Sequence, residues 1–276
     1  ALAVSGGGQL HWWAAAPALP AFLLIQVGTN LVNDACDYER GADTAERSGD
    51  LRVTQAGVFS ARSVKAAAGA CFAAALVCVA PACWAAGAGL LAWVVASCFA
   101  GWAYTGGPWP LGYHGLGEAT VVAFFGVAAT GIARCMAVGE GCAVLDPGAV
   151  ASGLQTGCTC ALLLVVNNLR DAATDEKAGK RTLAVRLGAA AGRAEVAALA
   201  AAPYAMGLGY WWHARGTVEA AALPMLSAPL AAALVREVYA TPPGPAYNGL
   251  IRRFAQLHAA FGGLLAAGIC ASAAAR

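Results

Sequence analysis

Charge is what this chain has least of. Only 12% of its 276 residues are Asp, Glu, Lys or Arg, against roughly 25% in soluble domains, while 59% are hydrophobic. The formal net charge is only +2, and no basic run is interleaved with aromatic residues, so a nucleic-acid partner is excluded. The ten cysteines (Cys36, Cys71, Cys78, Cys83, Cys98, Cys135, Cys142, Cys158, Cys160 and Cys270) include no CxxC pair and mostly lie inside apolar runs. They read as small packing residues rather than ligands. His11, His114, His213 and His258 lack metal-ligand spacing and read as interfacial or packed. No basic segment precedes an apolar run, so no cleavable signal peptide is expected. A heptad array, a low-complexity tail and a separate soluble domain are likewise missing.

Long apolar runs are present instead. Spanning a bilayer takes about 20 apolar residues, and eight such runs stand at roughly 14–32, 64–83, 87–105, 118–138, 149–169, 194–212, 218–238 and 254–275. With a mean hydropathy of +0.62, the chain reads as an all-α, multi-pass integral membrane protein, a single domain over residues 1–276. Residues Ala1–Ser5 read as the end of a further helix, broken at Gly6–Gly8. Abundant alanine and glycine let helix faces approach closely, which packing in lipid requires.

The few charges gather in two places. In the stretch Asn30–Asp43, Asn30, Asn33, Asp34 and Asp37 stand three and four residues apart, so they share a helical face, with Asp43 in the loop opened by Gly41. The second stretch, Asn167–Gly188, repeats the device: Asn167, Asn168, Asp171 and Asp175, then Lys177, Lys180, Arg181 and Arg186 in a glycine-punctuated loop. Four runs separate the two stretches, an even number, so both face the same side of the membrane. Assigned by loop, 14 of the 17 Lys and Arg fall on that side, among them Arg40, Arg47 and Arg52; only Arg134, Arg215 and Arg276 fall elsewhere. By the positive-inside rule the acidic stretches are cytoplasmic, or stromal in a plastid. A third segment on this side, Tyr104–Glu118, is rich in Gly and Pro and carries Tyr113 and His114. It reads as an ordered turn under the site or as a simple connector.

Oxygen ligands on two helical faces suit a hard divalent cation, Mg2+, and the cationic loop suits a polyphosphate. The expected work is departure of diphosphate from an allylic carbon, with Lys180, Arg181 and Arg186 on the outer phosphate oxygens. An isoprenoid tail would lie in lipid or in a groove between helices.

These motifs resemble a known family. Asn33-Asp34-x-x-Asp37 with Gly41-x-Asp43, and Asp171-x-x-x-Asp175 followed by Ala178-Gly179-Lys180-Arg181-Thr182-Leu183-Ala184-Val185-Arg186-Leu187-Gly188, are similar to the two signatures of the UbiA superfamily of intramembrane prenyltransferases. Asn167-Asn168-Leu169-Arg170-Asp171 and Gly112–Glu118 resemble its menaquinone branch, the 1,4-dihydroxy-2-naphthoate polyprenyltransferases. The resemblance implies a bundle of nine transmembrane helices, the first all but absent here, in a bacterial inner membrane or a plastid membrane. It further implies Mg2+ as cofactor, a prenyl or phytyl diphosphate and an aromatic acceptor as partners, and loss of CO2 from the naphthoate, for menaquinone or phylloquinone. Carried across, Asn33, Asp34, Asp37, Asp171 and Asp175 serve metal and diphosphate. Asn30, Asp43, Arg52, Tyr104, Tyr113, Asn167 and Asn168 join Lys180, Arg181 and Arg186 as candidate substrate contacts. No Lys or Arg lies between Tyr104 and Glu118, where the 4-hydroxybenzoate branch usually carries a basic pair. A homogentisate or 4-hydroxybenzoate prenyltransferase is the enzymatic alternative. A CDP-alcohol phosphotransferase would need DG and AR pairs ahead of its aspartates, and a cation transporter would need acids near the midplane.

Overall fold

The computed structural model describes residues 1–5, 10–43, 49 and 51–275. Arg47 and Arg276 of the charge count, and the break at Gly6–Gly8, lie outside the described residues. Every regular element among them is helical. After short helices at Leu2–Ser5 and Trp12–Ala15 come α1 (Ala18–Glu39), α2 (Ala61–Ala86), α3 (Ala88–Ala103), α4 (Gly117–Val138), α5 (Pro147–Lys177), α6 (Leu183–Gly207), α7 (Val218–Met225), α8 (Ala228–Ala240) and α9 (Tyr247–Ala274).

All eight apolar runs fall on helix. Among the described residues five helices are long and apolar enough to cross a membrane, counting Trp12–Ala15 and α1 as one; α3, at 16 residues, is shorter. The run 218–238 is not one rod, because α7 and α8 meet at a bend of 42°. Pro224 lies inside α7 and Pro229 in the first turn of α8, and a proline there offers no N–H to the preceding turn. Ser227 fills the break by donating to the Pro224 carbonyl at 2.7 Å, and its oxygen lies 2.9 Å from the Tyr204 hydroxyl.

Helix ends follow local chemistry. Asp146 accepts from the N–H groups of Gly148 and Ala149 and is followed by Pro147, a strong start for α5. Ser60 and Thr182 cap α2 and α6 in the same way. Where α4 meets α5 the backbones nearly touch: a Cβ on Gly126 would sit 2.2 Å from the Gly153 carbonyl oxygen, and one on Gly153 would sit 2.6 Å from Val127 Cα. In lipid no hydrophobic force drives helices together, so contact of this closeness supplies the attraction through dispersion. Two clusters flank this seam. One joins Val79, Val94, Ile132 and Met136 of the first helices; the other joins Leu162, Leu169, Val196, Leu234, Tyr247 and Phe254 of the later ones.

The cysteine reading needs one correction. Cys135 and Cys142 form a disulfide with Cα atoms 5.2 Å apart. The chain doubles back just after α4 because Gly139 (φ +83°) and Gly141 (φ +75°) take up left-handed geometry. This loop lies at the opposite end of α4 and α5 from the acidic stretches. Histidine behaves as expected: His114 stacks on Trp109 at 4.3 Å, and His258 Nδ1 meets Thr159 Oγ1 at 2.7 Å.

Candidate functional site

Both acidic stretches are helical, and helix outlasts the apolar pattern. The runs end at 32 and 169, yet α1 continues to Glu39 and α5 to Lys177. These extra turns lift the carboxylates past the apolar layer without breaking the hydrogen-bonded ladder. Asp34, Asp37, Asp171 and Asp175 are all buried.

Asp37 and Asp175 converge. Lys180 Nζ lies 3.7 Å from Asp37 Oδ2 and 3.7 Å from Asp175 Oδ1, so one carboxylate from each stretch shares a single cation. The Tyr113 hydroxyl donates to Asp37 Oδ1 at 2.9 Å. Burial above all, and then the adjacent Asp37 carboxylate, push the Tyr113 phenol well above its ordinary range, so it remains a donor. Arg40 reaches over the Tyr113 ring, its Cζ 5.1 Å from the centroid, and bonds the carbonyls of Thr105 and Gly107, the latter at 2.7 Å. Arg181 N donates to the Tyr113 carbonyl at 3.1 Å. Tyr104–Glu118 therefore lies directly against the cationic loop.

The other candidates are arranged around this centre. Asn33 Oδ1 accepts from Thr105 Oγ1 at 2.7 Å. Asp34 accepts from Val53 N and Thr54 N, both at 3.2 Å, and so ties the 52–57 turn to α1. Asp43 pairs with Arg52 Nε at 3.1 Å. Asn168 donates to Glu118 Oε1 at 2.8 Å. Arg181 is exposed on the cationic loop, whereas Lys177 closes α5 and Arg186 stands exposed in the first turn of α6, its Nε donating to the Arg181 carbonyl at 3.0 Å, so the expected loop is shorter than its charges. Asn30 and Tyr104 line a cavity of about 230 Å3 between α1, α3 and α4, which Asn33 also borders. A Cβ on Gly112 or Gly117 would meet the Tyr104 side chain at 3.2 and 2.9 Å, so both glycines give that ring its place.

Three further residues belong here that the acidic motifs alone do not indicate. Arg170 bonds Asp171 through Nε (2.8 Å) and Nη2 (2.6 Å), Asn167 Oδ1 through Nη2 (2.6 Å), and Asn248 Oδ1 through Nη1 (2.7 Å). A buried guanidinium with this many acceptors fixes Asp171 in a planar fork. Arg170 sits inside the second motif, and Arg40 figures only in the charge count. Asn248 begins α9, far along the chain, where no local pattern marks it.

A divalent cation can be tested against these donors. Among the described residues no three His, Cys, Asp or Glu side chains converge into a ready-made cage. Mg2+ seldom uses one; it takes one or two carboxylates and completes its shell with phosphate oxygens and water. Asp37 and Asp175, two hard carboxylates already flanking one cation, fit that mode.

Residues 1–248 match the profile of the UbiA prenyltransferase family. A 1,4-dihydroxy-2-naphthoate octaprenyltransferase of Mycobacterium tuberculosis is 40% identical over 185 residues, 64% of this chain and 59% of that one. The Haemophilus influenzae protein of the same name is 37% identical over 62% of this chain and 56% of its own length. The chain thus spans under two thirds of these relatives. Among solved structures, a UbiA homolog from Archaeoglobus fulgidus bound to DMAPP and Mg2+ shares the fold, with a TM-score of 0.64 at 16% identity over 98% of this chain and 92% of that one.

Proposed function

The chain belongs to the UbiA prenyltransferase family, and from that premise we propose that it transfers a prenyl group from its diphosphate to 1,4-dihydroxy-2-naphthoate in a bacterial inner membrane. The observation that carries the reading is the shared cation: carboxylates from two separate helices, Asp37 and Asp175, meet at Lys180 beside a cavity that runs between apolar helices. Relatives named for this acceptor support the choice of ring.

Asp37 and Asp175 would hold Mg2+, which when bound neutralises the charge that grows on the departing diphosphate. Lys180 adds a positive charge at the same place, and Arg181 from the loop and Arg186 from the first turn of α6 would reach the outer phosphate oxygens. Tyr113 holds Asp37 by its hydroxyl, and Arg170 holds Asp171, so neither carboxylate has to reorganise as charge develops. The C–O bond to diphosphate breaks and leaves an allylic cation. The electron-rich ring carbon that bears the carboxylate then forms the new C–C bond. Loss of CO2 returns the electron pair of the C–C bond to the ring and restores aromaticity, so no strong protein base is required. The protein's task is placement and exclusion of water.

Mass spectrometry of products tests this, with the chain in lipid vesicles, several prenyl diphosphates and naphthoate labelled in its carboxyl carbon. The expected product is prenylated and has lost the label as CO2. Retained label, or faster turnover of homogentisate or 4-hydroxybenzoate, sinks the acceptor assignment.

A further inference from the structure

We infer that α6, α8 and α9, at the end of the bundle that carries the acidic stretches, form a binding site for an anionic phospholipid. Arg236 and Arg252 hold its phosphate, and Arg193 and Arg253 shape the ground between them. The site stands apart from the acidic centre, and the inference does not depend on which acceptor the chain uses.

Depth is the first ground. Arg193 stands one residue before the apolar run 194–212, Arg252 and Arg253 directly before 254–275, and Arg236 in the last turn of 218–238. All four therefore lie where the apolar layer gives way to water, the level of lipid phosphates. Tyr239, three residues after Arg236 and half exposed, is the kind of amphipathic aromatic that this level favours.

The second ground is how the last turn of α8 gathers these charges. Thr241 N donates to the Glu237 carbonyl at 2.9 Å, so the two residues mark one turn. Arg193 Nη2 of α6 donates to the Thr241 carbonyl at 3.0 Å, and Arg253 Nη1 of α9 pairs with Glu237 Oε2. One turn of α8 thus carries an arginine from each neighbouring helix. Free carbonyls at the end of a helix repel an anion, but here they are taken. The Tyr247 hydroxyl donates to the carbonyls of Val238 at 3.1 Å and Thr241 at 3.2 Å. Beside them α9 begins at Tyr247, and the start of a helix attracts negative charge.

Charge and direction are the third. Between residues 220 and 275 Glu237 is the only acidic residue, and Arg253 already answers it. Arg236 and Arg252 are exposed, each on the helix face opposite a buried one: Leu234 and Val238 on α8, Leu250 and Phe254 on α9. Both therefore point outward from neighbouring helices. Packed helices stand about 8–10 Å apart, a gap that two arginine side chains close on one phosphate. An acidic soluble protein would be met by charges that stand clear of the apolar layer, whereas these abut it and leave apolar helix below for acyl chains.

Native mass spectrometry of the detergent-solubilised chain tests the inference, with phosphatidylglycerol, phosphatidylcholine and inorganic phosphate titrated separately. Wild type is expected to bind phosphatidylglycerol at least about tenfold more tightly than phosphatidylcholine. Arg236→Gln and Arg252→Gln should each weaken phosphatidylglycerol about fivefold, the worth of one arginine at an anionic surface. Arg62→Gln removes an equally exposed arginine from the first turn of α2 and should change that affinity less than about twofold. Without added lipid the Tm of Arg236→Gln and Arg252→Gln should match wild type, and either variant alone suffices for the comparison. Equal affinity of wild type for the two lipids overturns the inference. So does a loss in Arg62→Gln as large as in Arg236→Gln and Arg252→Gln, which would spread the attraction over the whole face. Inorganic phosphate bound as tightly as the lipid also overturns it, because the site would then take a free anion.

Discussion

Asp37 and Asp175 carry nearly identical burdens, since each lies the same distance from Lys180. Asp37→Asn and Asp175→Asn are each expected to lower kcat by about 100-fold or more, the scale on which one preorganised electrostatic contact acts, with membrane insertion unaffected; kcat near wild type for either removes that residue from the site. Tyr113 acts through Asp37. Losing its hydrogen bond to a charged acceptor should reduce kcat/KM for the donor about tenfold in Tyr113→Phe, corresponding to about 1.4 kcal/mol. Because burial and Asp37 raise the phenol's pKa, its proton is retained through neutral and mildly alkaline pH. The alkaline limb of a pH–rate profile should therefore be the same in wild type and Tyr113→Phe, and a limb that disappears in the variant would show that Tyr113 itself titrates. Arg170→Lys keeps a charge but loses the fork that spans Asp171, Asn167 and Asn248, so kcat is expected to fall while donor KM changes less.

At the scale of elements, the apolar runs locate helices well and end them too early. Hydropathy stops where charge begins, but a helix ends only where its backbone finds another partner, and Asp34–Glu39 and Asp171–Lys177 remain in the ladder. The motif aspartates were legible because four-residue spacing survives from sequence into a helical face. What could not be read was direction. Asn168 and Asp34 share motifs with Asp37 and Asp175, yet one turns to Glu118 and the other to the 52–57 turn. Asn248 stands 78 positions from its partner Arg170, and the Cys135–Cys142 pairing depends on a turn made by glycines that look like any others. The α4–α5 seam was foreseen only as a tendency of small residues to pack. It makes a specific demand: Gly153→Leu drives a side chain into Val127 Cα and should destabilise the bundle by about 1–3 kcal/mol, seen as a lower Tm in detergent, whereas Gly262→Leu, with nothing near its Cβ position, should leave Tm close to wild type.

Across the whole molecule, two independent markers separate the ends of the bundle. The Lys and Arg count predicts a cytoplasmic or stromal side for the acidic stretches, and the Cys135–Cys142 disulfide lies at the other end, where an oxidising compartment would keep it. Alkylation of the unreduced protein, followed by reduction and peptide mapping, should show these two cysteines protected and the exposed Cys270 modified; labelling of Cys142 without reductant would remove the disulfide from the account. The cavity between α1, α3 and α4 lies among helices that stand in lipid, whereas Lys180, Arg181 and Arg186 stand at the watery end of α5. Reactants that reach such a cavity are counted per area of membrane, not per volume of buffer. Turnover should then follow the mole fraction of prenyl donor in the bilayer: diluting vesicles with inert phospholipid slows the reaction, and diluting them with the same volume of buffer leaves the rate per vesicle as it was.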